Sequence, residues 1–434
     1  MIRIRFIAAW MVFCFAAIVF AGAVWATVVP HEFDRRVEWV QLKIQAVLPQ
    51  PPRPEFVPTP LAVQEPIDTP TLPANLPQPT AASTRTATPR VAPTRPPIAA
   101  SAPLPPRVAL SDFRHDYQRF NNCGPTTLSI LLSHLGRSET QYDLAPLLKG
   151  NNDDRNVSPD EIVALVRSYG FRAVVRENGS MPEMKSFLAQ GIPVMVESWF
   201  IPHPKDASGH YRVLTGYDDA GTASTRGVGL TVEYIDGYPP VENGFFIAQD
   251  SYIGPNIKLA YQAWDFDWRV FNRTYLVIYT DAQASVVRNI LGDDADDTTM
   301  FTHAYAQAQR EVTANNADAF AWFNLGTALT GLGRFDEAGR AFDRARVLKL
   351  PWRMLWYQFG PYEAYYHAGR YAEVIALANA TLAASPGLEE SLYYRGLAQL
   401  ALGQKDAARD SFQLALKANP HFARAKQALS DAAK

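Results

Sequence analysis

The 434-residue sequence contains only two cysteines, Cys14 and Cys123. Cys14 lies inside an apolar N-terminal segment and cannot reach Cys123, which excludes an intrachain disulfide. No grouping of cysteine, histidine and acidic residues has metal-ligand spacing, and no glycine-rich phosphate loop is present. The sequence therefore predicts neither a metal nor a cofactor, and it leaves Cys123 as an unpaired thiol.

Charge of either sign is also scarce. Charged residues make up 19% of the chain and the formal net charge is −2. Because no basic surface is predicted, nucleic acid is not expected as a partner. Proline, in contrast, is unevenly distributed among its 33 positions. Residues 49–107 are rich in Pro, Thr and Ala and lack hydrophobic periodicity, so we expect a disordered, semi-extended linker there.

One long apolar run exists, at residues 6–29, and two arginines precede it. About 20 apolar residues are enough for a helix to cross a bilayer. Residues 1–30 are therefore predicted to be a transmembrane anchor or a signal segment, and residues 31–48 a juxtamembrane segment. Because positive charge before the run holds the N-terminus in the cytoplasm, we expect a single-pass protein whose bulk is extracytoplasmic.

The rest of the chain divides by composition. Residues 108–281 mix strand and helix patterns, residues 282–297 form an acidic linker, and residues 298–434 are Ala-rich and helical. The expected fold class is thus an α+β domain followed by an all-α domain, after an N-terminal transmembrane helix.

Cys123 lies in the run Asn-Asn-Cys-Gly-Pro-Thr-Thr-Leu, at the predicted start of a helix. Pro125 suits a first helical turn, and Gly136 provides a stop after an apolar face at helical spacing. A thiol at a helix N-terminus is near unpaired N–H groups that stabilise the thiolate and lower its pKa. The alternative is that Cys123 is a small buried hydrophobe.

Two later strands supply partners for a nucleophilic thiol. His210 begins a strand that follows the apolar strand 192–198, and Asp250 ends the strand 245–251. An imidazole accepts the proton of a thiol and returns it to the leaving group, and a carboxylate orients that imidazole. The alternatives are a polar strand residue for His210 and a turn cap for Asp250, with Asp236 and Asn256 as rivals for the third role.

These segments together resemble papain-like cysteine peptidases related to bacteriocin leader peptidases, the peptidase C thirty-nine-like family. The resemblance covers about residues 108–279 and rests on Asn-Cys-Gly-Pro-Thr-Thr-Leu-Ser, Gly-Ile-Pro-Val, Gly-His-Tyr-Arg-Val-Leu-Thr-Gly-Tyr-Asp-Asp and the strand ending in Asp-Ser. It implies a papain-like fold, with Cys123 as nucleophile, His210 as general base and acid, and Asp250 as the orienting group.

The same resemblance implies that Gln118 supplies an oxyanion-hole amide beside the backbone N–H of Cys123. The interval from Gln118 to Cys123 is about one residue shorter than the papain-like pattern, so Asn121 and Asn122 remain alternatives. Family members that process leader peptides face the cytoplasm beside a transporter. Their substrate is not carried over to a chain that is predicted to face outward.

The helical region resembles tetratricopeptide repeats. The marker glycines Gly333, Gly369 and Gly403 are 36 and 34 residues apart, close to the 34-residue period. Three units are predicted, with a further helix at about 298–313 capping the array. The groove either binds a protein partner or packs on the first domain. Aromatic residues cluster around the irregular second unit and suit core packing or a binding patch: Trp352, Trp356, Tyr357, Tyr365 and Tyr366.

These observations favour a membrane-anchored, extracytoplasmic cysteine peptidase that cleaves a peptide bond through a Cys-His-Asp acyl-enzyme. Its expected partners are a peptide or protein substrate, the membrane, and a protein in the repeat groove. Two alternatives remain, a surface interaction scaffold with an inactive papain-like domain and a papain-like acyltransferase.

Overall fold

The computed structural model describes residues 55–61, 103–151, 154, 156–201, 207–226, 230–234 and 238–432. The predicted membrane segment 1–30, the juxtamembrane segment 31–48 and most of the predicted linker lie outside these residues. Within the described ranges, none of the helices has the length and apolar character needed to span a bilayer. The anchor therefore stays a prediction.

Residues 103–295, here the sheet module, contain one seven-stranded sheet. Its strands are β1 (Arg107–Ala109), β2 (Arg172–Arg176), β3 (Val194–Phe200), β4 (Ser208–Ser224), β5 (Val241–Asp250), β6 (Gly254–Ala260) and β7 (Tyr275–Tyr279). The order is β2-β7-β3-β4-β5-β6, and β1 pairs with β4. All described pairs are antiparallel. The central strand β3 is buried along its whole length, which explains its apolar sequence.

Six helices flank this sheet. They are α1 (Cys123–His134), α2 (Gln141–Leu148), α3 (Pro159–Ser168), α4 (Met181–Ala189), α5 (Tyr261–Trp268) and α6 (Ala284–Leu291). Local signals set several starts: Ser158 and Ser180 accept N-cap hydrogen bonds, and a proline follows early in each of those helices. The expected α+β architecture is confirmed.

Two apolar cores lie on the two faces of the sheet. Helices α1 to α3 bury Leu128, Leu131 and Ile162 against one face. Helices α4 to α6 bury Phe187, Trp264 and other side chains against the opposite face. Because α6 lies inside the segment predicted to be an acidic linker, that part of the prediction is corrected. Its Val287, Ile290 and Leu291 are buried, so this stretch is a packed helix.

Residues 297–432, here the repeat module, are helical. The helices are α7 (Asp297–Ala314), α8 (Ala319–Gly331), α9 (Phe335–Val347), α10 (Gly360–His367), α11 (Tyr371–Ala384), α12 (Glu389–Ala401), α13 (Lys405–Ala418) and α14 (Ala423–Ala432). Helices α8 to α13 form three antiparallel pairs, as predicted, and α7 is the expected capping helix. The second pair is irregular, since a short 3₁₀ helix (Trp352–Trp356) precedes α10.

Small residues let the paired helices approach each other. A Cβ atom added at Gly326 would lie 2.6 Å from the ring of Phe342, and one at Gly396 would lie 2.5 Å from the ring of Phe412. The marker glycines Gly333, Gly369 and Gly403 all have positive φ and end the first helix of each pair. The repeat spacing therefore reflects backbone geometry and close packing.

The two modules share a continuous apolar core. Trp199 and Phe271 of the sheet module are buried with side chains of the repeat module, and the rings of Trp199 and Phe320 are 6.0 Å apart. Arg269 donates to Asp318 at 2.6 Å. The repeat module thus packs on the sheet module, one of the two roles predicted for it.

Residues 55–61 lie inside the segment predicted to be disordered, yet they occupy a defined place on the repeat module. The backbone N–H of Val57 donates to the Leu350 carbonyl at 2.9 Å, and Arg346 Nε donates to the Pro58 carbonyl at 2.7 Å. Val57 is only 3% exposed. The disordered-linker prediction is therefore corrected for this short stretch, because one buried valine and several backbone hydrogen bonds hold it.

Candidate active site

Helix α1 begins at Cys123 and places the thiol on its first turn, as predicted. Asn121, with φ of 57°, turns the chain into the helix, and Asn122 precedes the first helical residue. Gly124 lets the helix start pack closely on Val157, since a Cβ there would lie 3.0 Å from that side chain. Cys123 is half-buried and free, so its sulfur is not simply core filling.

His210 lies near the start of β4 and connects the thiol to a carboxylate. Its ring interacts electrostatically with the thiol of Cys123, and its Nε2 lies 3.1 Å from Oδ1 of Asp250. The ring stacks on Phe200 at a centroid distance of 4.6 Å. The structure therefore brings together the three residues that the sequence selected, although they are separated by 87 and 40 positions.

Asp250 is fully buried and is held on several sides. Besides His210, its Oδ1 accepts the backbone N–H groups of Tyr252 and Ile253, each at 2.8 Å. Its Oδ2 accepts from Nε of Arg212 at 2.7 Å. Arg212 in turn donates to Ser198 Oγ at 2.6 Å. Such a network holds the carboxylate in one orientation and so holds the ring of His210.

The electrostatics favour a thiolate beside an imidazolium. Burial alone raises the pKa of the Cys123 thiol, but the hydrogen bond and charge of His210 outweigh it, and the pKa lies below the usual value. Burial lowers the pKa of His210, but the charge and hydrogen bond of Asp250 outweigh it and raise the pKa. Burial disfavours the Asp250 carboxylate, yet His210 and Arg212 hold its pKa well below the usual range.

The three amides considered for the oxyanion hole differ in their contacts. Gln118 is held by its Oε1, which accepts from Ser251 Oγ at 2.8 Å. Asn122 is engaged elsewhere, since its amide donates to Gln141 and its Oδ1 accepts from Lys149. Nδ2 of Asn121 is buried without a hydrogen-bond partner among the described residues. Gln118 and Asn121 therefore remain available, and Asn122 does not.

The rival Asn256 and two further histidines lie outside this cluster. Asn256, a rival for the third role, accepts from Gln249 through its side chain at 3.0 Å. His115 lies 3.0 Å from Gln249, and His134 stacks on Phe113. Asp236, the other rival for the third role, lies outside the described residues.

A cavity of about 10 Å³ opens beside the sulfur. It is lined by Cys123 and, from the sheet module, by Asn121, Gly124, Asn156, Val157, Glu197, Gly209 and Tyr211; the repeat module contributes Tyr357. A volume of this size holds about one water molecule. Glu197 Oε2 is buried and has no partner among the described residues. The repeat module is therefore part of the wall around the thiol.

Sequence reasoning missed three of these residues. Arg212 could have been found from the sequence, because it follows His210 by two positions on one strand and therefore lies on the same face of the sheet. Glu197 also had one, as the single carboxyl in an otherwise apolar strand. For Tyr357 no local signal distinguished a wall of the thiol site from core packing, because it lies 234 residues beyond Cys123.

The comparisons with known proteins agree with these two modules. The sequence profile of the Peptidase_C39 like family matches residues 109–252. Tetratricopeptide repeat profiles match residues 321–345 and 390–421, within the first and third helix pairs. The profiles therefore place a domain similar to the Peptidase_C39 like family before a region similar to tetratricopeptide repeats.

Two solved structures are similar to parts of the chain. One is a crystal structure described as a candidate C39-like peptidase from Bacillus anthracis, with 14% identity, a TM-score of 0.30, and coverage of 40% of this chain and 98% of that one. The other is the crystal structure of MamA, with 20% identity, a TM-score of 0.26, and coverage of 33% and 82%. No curated protein matches the chain.

Proposed function

We propose that this protein is a cysteine peptidase that cleaves a peptide bond through an acyl-enzyme on Cys123. The observation that carries the proposal is the position of the His210 ring, between the thiol and the buried carboxylate of Asp250. The thiolate attacks the carbonyl carbon of the substrate, and His210 delivers its proton to the leaving amine. His210 then removes a proton from water, which attacks the thioester and releases the acid.

The oxyanion that forms during both attacks needs donors near the start of α1. The backbone N–H of Cys123 and the amide of Gln118 are the proposed pair, because Ser251 fixes Gln118 through its oxygen. A donor of this kind typically lowers the free-energy barrier by about 3–4 kcal/mol. Asp250 and Arg212 act through His210, as positioning residues.

The test is alkylation of the thiol in a Cys14→Ala background, where Cys123 is the sole thiol. Iodoacetamide should react with Cys123 quickly at pH 6–7, below the usual thiol pKa of about 8.5, and His210→Ala should slow the reaction by at least about tenfold. His134→Ala is the matched control, because this histidine lies at the far end of α1. An alkylation rate that rises only above pH 8 and is the same in His210→Ala would reject the proposal.

Product analysis separates hydrolysis from the two alternatives. A diverse peptide library should yield new carboxyl termini with the wild type and none with Cys123→Ala. Products joined to an added amine would identify an acyltransferase. A thiol with normal reactivity, together with a partner retained by Cys123→Ala, would identify an interaction scaffold.

We further propose that the chain is anchored in a membrane and faces outward, on the basis of the apolar run at residues 6–29 and the arginines before it. The chain should remain in the membrane fraction after carbonate extraction. Externally added protease should digest the repeat module in intact spheroplasts. Protection from protease until the membrane is lysed would contradict the orientation.

A further inference from the structure

The segment that carries Gln118 has no secondary structure of its own. Residues 110–119 form neither a helix nor a strand, so contacts with other parts of the fold must fix their backbone. Ser251 provides one such contact, since its carbonyl accepts the N–H of Gln118 at 2.8 Å and its Oγ donates to Oε1 at 2.8 Å. An oxyanion donor stabilises the developing charge best when it is already held in place, so the peptide units around Gln118 also need support.

Gln141 supports the backbone on both sides of Gln118. It is the first residue of α2 and is only 1% exposed. Its Nε2 donates to the carbonyl of Tyr117 at 2.9 Å, and its Oε1 accepts the backbone N–H of Arg119 at 2.9 Å. One buried amide therefore holds both the residue before Gln118 and the residue after it.

The same amide also holds the start of α1. Its Oε1 accepts from Oγ1 of Thr126 at 3.0 Å and from Nδ2 of Asn122 at 3.3 Å. Asn122 precedes the helix, and Thr126 follows Cys123 by three positions in the first turn. Gln141 thus links the two elements that supply the proposed oxyanion donors, the segment of Gln118 and the turn that begins with Cys123.

These contacts need a donor and an acceptor at the end of one side chain. A backbone carbonyl only accepts and a backbone N–H only donates, so the partners fix which end of the Gln141 amide carries the oxygen. The second hydrogen of Nε2 is directed to Oδ2 of Asp116, at 2.8 Å. A carboxylate in this place would lack both donors, and an apolar side chain would lack the donors and the acceptor.

We propose that Gln141 is a positioning residue of the oxyanion hole, which holds Gln118 in a fixed place relative to the backbone N–H of Cys123. The inference rests on the proposed peptidase function. Gln141 contacts the segments that carry the donors and acts through Gln118. Its loss should therefore slow attack on a carbonyl group, and it should leave the ionisation of the thiol unchanged.

Two thiol reagents separate these effects. With p-nitrophenyl acetate, the thiolate attacks the carbonyl carbon, a C–S bond forms through an oxyanion, and p-nitrophenolate leaves with the electrons of the broken C–O bond. With iodoacetamide, the thiolate displaces iodide and no oxyanion forms. The ratio of the acylation rate to the alkylation rate therefore reports the stabilisation of the oxyanion.

Rates are measured on the full chain with Cys14→Ala, after subtraction of the background rate of Cys123→Ala. Each rate is divided by the rate of the same reagent with free cysteine. Because p-nitrophenyl acetate acylates any accessible thiolate, the ratio is measurable whether or not a peptide is cleaved.

Gln118→Ala should lower the normalised ratio by at least about tenfold, because it removes one oxyanion donor. Gln141→Met should lower the ratio by at least about fivefold, while the alkylation rate changes by less than about twofold. Because Gln141 acts through Gln118, the double variant should lie within about twofold of Gln118→Ala alone. Asn324→Met is the matched control, since it removes an amide on α8 that is also 1% exposed and hydrogen-bonded, and it should leave the ratio unchanged.

Three results would overturn the inference. The first is an unchanged ratio in Gln141→Met. The second is a fall of the same size with and without Gln118, which would show that Gln141 acts independently of that amide. The third is an equal loss of acylation and alkylation, which would show a general disturbance of the site. Should Gln141→Met fail to fold, Gln141→Glu, which keeps the acceptor and loses the donors, decides the outcome by the same ratio.

The wild-type ratio separates this inference from the peptidase proposal. A wild-type ratio no higher than that of free cysteine would show that no oxyanion hole acts on the thiol, and both proposals would fail. A higher wild-type ratio that falls in Gln118→Ala but not in Gln141→Met would leave the peptidase and reject only the role of Gln141. A ratio that Gln118→Ala leaves unchanged would also reject the inference, because Gln141 would then have no oxyanion amide to position.

Discussion

Raising the pH should destabilise the contact between the two modules, because four carboxyl groups are buried close together there and their charges repel. Glu389 and Glu390 begin α12 and face Asp154 and Glu161 of the sheet module. Amides bridge the contact: Asn419 donates to Glu389 at 2.8 Å and to Glu161 at 3.1 Å, and Asn156 donates to Glu390 at 3.3 Å. Lys149 is a cation near Asp154, and it also donates to Asn121 and Asn122.

The size of this pH-dependent loss of stability can be worked out for Glu389, which is 2% exposed. Burial first, and then the charge of Glu161, raise its pKa from 4.5 to about 7. Because the folded pKa of an acid is raised, no stability is lost below about pH 4.5, where the group is protonated in both states. The cost grows between pH 4.5 and 7 and is then constant, at about 3 kcal/mol.

The substitution Glu389→Gln tests this reasoning. Gln keeps the oxygen that accepts from Asn419 and never ionises. The variant should match the wild type at pH 4 and exceed its free energy of unfolding by up to about 3 kcal/mol at pH 8. Equilibrium urea denaturation at both pH values measures the difference. Asp406→Asn, at an exposed site on α13, is the control.

Equal pH dependence in the variant and the wild type would refute the argument. It would mean that Glu389 is ionised and solvated in the folded protein, and hence that the contact between the modules is open. A variant that is less stable at pH 8 would instead show that its carboxylate has a cationic partner.

Three further predictions concern single residues. Val57→Asp should release residues 55–61, because a charge cannot stay buried there, and limited proteolysis should then cut this stretch faster; equal cutting would contradict the docking. Gly396→Ala should lower the free energy of unfolding by about 1–3 kcal/mol, because the added methyl group overpacks the helix contact. Gly387 has open space around it, so Gly387→Ala is the control and should change the free energy little. Equal urea midpoints for the two variants would argue against the close helix contact. Asp250→Asn should slow alkylation of the thiol at pH 6.5 by at least about tenfold, and an unchanged rate would remove the carboxylate from the site.

Local sequence signals predicted most elements that position the site. A helix start needs only a few residues, so Cys123 and Pro125 sufficed to place the thiol at the beginning of α1. The glycine spacing predicted the three helix pairs, because close packing and positive φ recur at each repeat. His210 and Asp250 were selected by residue type near strand ends, and the sheet brings them within 3.1 Å of each other.

Tertiary structure alone decided how the modules meet. The contact of Tyr357 with the thiol cavity, the docking of residues 55–61 and the buried carboxyls around Glu389 all join residues far apart in the chain. No sequence periodicity indicates such long-range contacts, since each of the two contacting segments has the composition of an ordinary surface or core. The sequence by itself determined the chemical groups and the local elements that carry them. Which of those groups lost contact with water was determined by packing, and burial is what changes their pKa values and pairing.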